Sequence, residues 1–73
     1  MVEKQNRLLN ALDAKYRAEI LDALARLEVY VTSPVAIGEH PQHTEEMDKL
    51  IEQYATAKDK AESLMIMKAE LGI

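Results

Sequence analysis

The sequence predicts an all-α protein, an antiparallel hairpin of two long helices. Both prolines, one of the two glycines and both histidines fall in one stretch, "SPVAIGEHPQH", residues 33–43. On either side of it, apolar residues recur every three or four positions, the mark of an amphipathic helix. The connection is short, roughly eight to eleven residues, and short connections join antiparallel neighbours.

The first helix is expected over about residues 2–32. This segment has no Pro or Gly and is rich in Leu, Ala, Glu, Lys and Arg, all strong helix formers. Its stripe is Leu9, Leu12, Tyr16, Ile20, Ala23, Leu27 and Tyr30, spaced 3, 4, 4, 3, 4 and 3. Leu8, Leu21, Leu24 and Val31 flank it, so the apolar face is wider than a two-stranded seam requires. Asp13 and Arg17, Lys15 and Glu19, and Asp22 and Arg26 stand four apart on other faces, where such pairs add a few tenths of a kcal/mol. Pro34 stops the helix, because its ring disfavours helical geometry at Ser33 and it has no N–H to donate.

The turn is expected over about residues 33–41, and the second helix over about 42–71. Either Pro41 takes the first helical position or Thr44 caps the helix. Glu45, Glu46 and Asp48 suit the positive end of its dipole. The stripe runs Met47, Leu50, Tyr54, Ala57, Ala61, Leu64 and Leu71, with Ile51 and Met65 beside it. Lys68 interrupts the pattern, although its aliphatic stem can cover a seam while the amine reaches water. Gly72 ends the helix. Helices of roughly 28 to 31 residues are about 42 to 46 Å long.

Seventy-three residues make one domain, 1–73, and so short a chain buries little of its surface. Small scaffolds need a staple: disulfides, a metal or a partner chain. The chain has no cysteine and only two histidines, which leaves a partner chain. Two hairpins pairing into a four-helix bundle would supply it. The residues expected at that contact are Leu8 and Leu12, with Leu64, Met65, Ile66 and Met67 of "LMIM" level with them at the open end. Four consecutive apolar residues go most of the way round a helix, more than one hairpin can cover.

Val35 and Ile37 are apolar residues in a turn that would otherwise be polar. They either tuck back as a plug over the closed end or form a knob for another protein, with Gly38 giving the backbone freedom. The plug is the expectation.

No motif assigns a chemistry. His40, His43 and Glu46 have a spacing that could bring three ligands together on a helix, but Pro41 puts His40 at or before the helix start. The expectation is that both histidines are solvated and that there is no metal site. Neither Ser33 nor Ser63 lies in a nucleophile motif, and no phosphate-cradling glycine loop is present. No catalytic residue and no cofactor are expected.

A net charge of −4, with nine Lys and Arg interleaved among thirteen Asp and Glu, disfavours nucleic-acid binding. No run approaches the ~20 apolar residues of a membrane span, and residues 1–20 lack the apolar core of a signal peptide. A cytoplasmic protein is expected.

The stretch from Leu27 to Leu64 contains the turn "PVAIGEH" followed by the helix opening "EEMDKL". On these residues, about half the chain, it resembles small uncharacterised open reading frames of T4-like tailed phages, particularly those of marine cyanobacteria. The resemblance implies a phage accessory protein, hence the host cytoplasm, and carries over no catalytic or binding residue. The reading is a non-enzymatic, self-associating helical protein, a homodimer or higher homo-oligomer that acts as a structural or protein-interaction module. The alternative is a metal-binding or enzymatic bundle whose sites form only between chains. A nucleic-acid-binding accessory protein would need Lys and Arg gathered on one face of the oligomer.

Overall fold

The computed structural model describes the backbone of residues 2–32 and 43–73, and the side chains of residues 6–32 and 43–73. Two helices, α1 (Val2–Thr32) and α2 (His43–Leu71), pack side by side as an antiparallel hairpin. The molecule measures 54 × 17 × 14 Å. The expectations for Ser33, Pro34, Val35, Ile37, Gly38, His40 and Pro41 lie outside the described residues.

The packed face of α1 follows a strict repeat. Asn6, Leu9, Asp13, Tyr16, Ile20, Ala23, Leu27 and Tyr30 are half-buried or buried, at spacings of 3, 4, 3, 4, 3, 4 and 3. On α2 the matching row is His43, Met47, Leu50, Tyr54, Ala57, Ala61, Leu64 and Lys68, spaced 4, 3, 4, 3, 4, 3 and 4. Both rows have a period of 3.5 residues, which keeps two long helices in contact along their length. Among the described residues only Ala23, Leu50, Ala57 and Leu64 are buried.

The α1 row differs from the stripe expected above. Asp13 takes the seam position expected for Leu12, which is 39% exposed. A repeat of 3.5 counted back from Tyr16 reaches residue 13, and the Asp13 carboxylate turns aside to accept from Arg17 Nε at 2.7 Å. Leu71, expected in the α2 stripe, is exposed, and the seam ends at the half-buried Lys68. Asn6, Asp13 and Lys68 thus make the open end of the seam polar, while Leu8, Met65 and Leu71 lie outside it.

The helix ends follow local chemistry. Thr32 Oγ1 donates to the Glu28 carbonyl oxygen at 2.7 Å in the last turn of α1, a bond that competes with the helical ladder. α2 begins at His43, so Thr44 sits inside the first turn and does not cap the helix. At the other end Gly72 has φ +75°. Its N–H donates to the Ala69 carbonyl (3.2 Å), and the Ile73 N–H to the Lys68 carbonyl (2.9 Å). This pair of bonds is a Schellman motif, which the left-handed glycine makes possible.

Candidate interaction surface

The hairpin is one layer thick, so its two broad faces are both open. A helix turns 100° per residue, and the cross-helix contacts fix which side chains share a face.

The first face is defined by Gln53, whose side-chain amide donates to the Glu19 carbonyl oxygen at 2.8 Å and to Asp22 Oδ2 at 3.0 Å. Asp22 also accepts from Arg26 Nε at 3.1 Å. The Gln53 hydrogen bond lowers the Asp22 pKa below its ordinary value. Partial desolvation opposes this and the Arg26 charge assists it. Lys60 reaches across the same face to place its ammonium 5.9 Å from the Tyr16 ring centroid, within cation–π range. Beyond this polar middle, towards the open end, lie two hollows. One, of about 300 Å³, is lined by Leu9, Leu12, Tyr16, Lys60, Ser63, Leu64 and Met67. The other, of about 460 Å³, is lined by Leu8, Leu9, Leu71 and Ile73. A third, of about 410 Å³, lies towards the closed end between Arg26, Tyr30, Glu46 and Lys49.

The second face carries Leu24 and Val31 from α1, with Leu21 on its outer shoulder, and Ile51 and Met65 from α2. Their exposures run from 46% at Leu24 to 69% at Met65. Half-buried Ile20, Leu27, Met47 and Tyr54 form the floor between them. Lys58 lies over the Tyr54 ring, 5.8 Å from its centroid.

The residues expected at a contact are therefore not one patch. Leu8, Leu12 and Met67 belong to the first face, Met65 to the second, and Ile66 points outward from α2. Leu64 is 7% exposed and packs within the hairpin itself. The flanking residues Leu21, Leu24, Val31 and Ile51 are also exposed, although the sequence marked them only as flanks of the stripes.

His43 is half-buried rather than solvated. Its ring meets Tyr30 edge-on at 5.6 Å between centroids, because the first turn of α2 sits against the last turn of α1. Among the described residues, no group of three or more His, Cys, Asp or Glu is placed to hold a metal ion. No helix among them is long and apolar enough to cross a membrane. Comparisons with protein-family models, curated proteins and solved structures find no match to this chain.

Proposed function

We propose that the protein is a self-associating helical hairpin that serves as a structural or protein-interaction module and performs no catalysis of its own. One observation carries the reading: the hairpin exposes more surface than a compact protein of its mass. Its accessible area is 5851 Å², whereas a folded monomer of 8.3 kDa exposes about 4,600 Å². Among the described residues, eight large apolar side chains are more than half exposed. Patches of this kind on soluble proteins mark interaction sites. A second hairpin packed on one broad face would complete a four-helix bundle and cover the exposed side chains of that face. The phage accessory role implied by the resemblance of residues 27–64 fits a small assembly part of this kind.

Sedimentation equilibrium of the full chain at micromolar concentration tests the reading. We expect at least twice the 8.3 kDa monomer mass. A folded monomer at that concentration would overturn it.

A further inference from the structure

We infer that the open half of the first face binds a long-chain fatty acid, with the carboxylate at Lys60 and the chain running towards Ile73. This goes beyond the self-association proposed above and does not depend on it.

The two hollows at this end form one trough, because Leu9 lines both. Lys60, Met67 and Leu71 follow one another at seven and four residues, which puts them on one side of α2. Leu8 and Leu12, four apart, form the facing wall on α1. The trough therefore runs along the seam, bounded by one helix on each side, and takes a single chain lying lengthwise. Leu8, Met67 and Leu71 are more than half exposed, so its walls are apolar surface in contact with water. The hollows, of about 300 and 460 Å³, fall in the ~300–1,000 Å³ range of small-molecule sites.

Charge selects the occupant. Among the described residues that line the two hollows, Lys60 alone is charged, and none is a carboxylate. Lys60 stands at the inner end, its ammonium held 5.9 Å from the Tyr16 ring centroid. The ion pairs among the described residues join Asp13 to Arg17 and Asp22 to Arg26, so this ammonium has no carboxylate of its own there. Ser63 adds a hydroxyl at the same end of the trough. One cation and one hydroxyl at the head of an apolar trough complement a monoanion with a long apolar tail. A cationic amphiphile would bring like charge against Lys60. Length agrees with this. From Lys60 to Leu71 the helix rises about 16 Å, and an extended chain of roughly twelve carbons, with C–C bonds near 1.5 Å, covers about 14 Å.

The test titrates the full chain, labelled with nitrogen-15, with sodium dodecanoate below its micelle-forming concentration and follows amide shifts by NMR. We expect saturation at one ligand per chain, with shifts at Leu9, Leu12, Ser63 and Met67 and none at Leu24 or Ile51. Sodium octanoate should bind at least tenfold more weakly, since it leaves the outer end of the trough uncovered. Dodecyltrimethylammonium should also bind at least tenfold more weakly than dodecanoate. Lys60 is exposed, so Lys60→Glu should keep its helicity by circular dichroism. That variant should invert the preference and bind dodecyltrimethylammonium more tightly than dodecanoate. Lys60→Arg should keep dodecanoate affinity within about threefold, because the charge remains. Absence of saturable shifts, as when a second copy already covers this face, overturns the proposal. So does uptake of several ligands per chain on both faces, which is detergent-like adsorption. An unchanged preference in Lys60→Glu overturns the assignment of the head group.

Discussion

The side-chain amide of Gln53 donates to the main-chain carbonyl of Glu19 at 2.8 Å, across the helix interface and mid-way along both helices. The second hydrogen of the same amide goes to Asp22 at 3.0 Å. The seam around it is made of side-chain contacts, with the buried Ala23 and Ala57 near the bond. A bond to a fixed carbonyl adds to their constraint on the register of the hairpin. Gln53→Leu should cost about 1 kcal/mol, a typical net value for a lost intramolecular hydrogen bond. Chemical denaturation of the two proteins, compared at equal concentration, measures this.

Asp22 links that register to pH. Its folded pKa lies below the ordinary value of 3.8, held down first by the Gln53 hydrogen bond. A depressed carboxylate stabilises the fold above its unfolded pKa, and the contribution is lost as pH falls through the folded value. The side chain is about half exposed, so the effect is small. The melting temperature of the wild type should exceed that of Asp22→Asn at pH 6. The gap should close as the pH is lowered below 4 through the folded value. A gap that persists in acid would show that the carboxylate's charge is not what matters.

Leu64 and Ala57 test the seam from opposite directions. Leu64 is 7% exposed, and it lines the hollow shared with Leu9, Leu12 and Met67. Those neighbours can relax inward, so Leu64→Ala should fall near the lower end of the range for such changes, about 2 kcal/mol. Leu64→Glu should destabilise the hairpin more than Leu64→Ala does, since it puts a carboxylate at a 7% exposed seam position, a cost that Lys60 and Lys68, four residues to either side, offset only in part. Ala57 is 2% exposed, so Ala57→Leu has no room and should cost about 1 to 3 kcal/mol by overpacking. Thermal melts followed by circular dichroism report all three.

Tyr30 and His43 close the hairpin at the turn end. An edge-on aromatic pair is worth about 0.5 to 1.5 kcal/mol beyond the area it buries. A double-mutant cycle with Tyr30→Leu and His43→Leu should return a coupling of that size. Additive single effects would mean that the two rings share a location and little energy.

The hairpin was readable from the sequence because Pro34, Gly38 and Pro41 cluster between two long uninterrupted periodic segments. The seam was legible to within one residue. A stripe drawn through apolar residues alone selects Leu12, while a rigid 3.5 repeat selects Asp13, and hydrophobicity does not show which rule prevails. Lys68 reads as an interruption whose stem can cover the seam, and it is half-buried at its place in the repeat. The candidate surface was less legible. Leu64 and Met65 are neighbours in an apolar run, but one faces the seam and the other a broad face. Only the rotation of α2 against α1 separates them. The His43 contact with Tyr30 also depends on how the two helix ends meet across the turn, which no local pattern encodes.

The last prediction concerns Gly72. Its φ of +75° lies in the left-handed region, where an L-residue brings its Cβ close to the following carbonyl oxygen. Nothing lies within 4 Å of a Cβ built at this position, so a substitution meets no neighbour and its cost is conformational alone. Gly72→Ala should therefore cost about 1 kcal/mol, and Gly72→Asn less, because asparagine tolerates this conformation better. The consequence extends past the helix end. The Schellman bonds from Gly72 and Ile73 turn the chain back so that Ile73 lines the hollow with Leu8, Leu9 and Leu71. If the turn opens, Ile73 leaves that hollow and Leu9 gains solvent. Hydrogen exchange in Gly72→Ala should thus be faster at the amide of Ile73, and also around Leu8 and Leu9 on the other helix. Acceleration confined to residues 72 and 73 would show that the turn ends α2 without helping to close the hairpin.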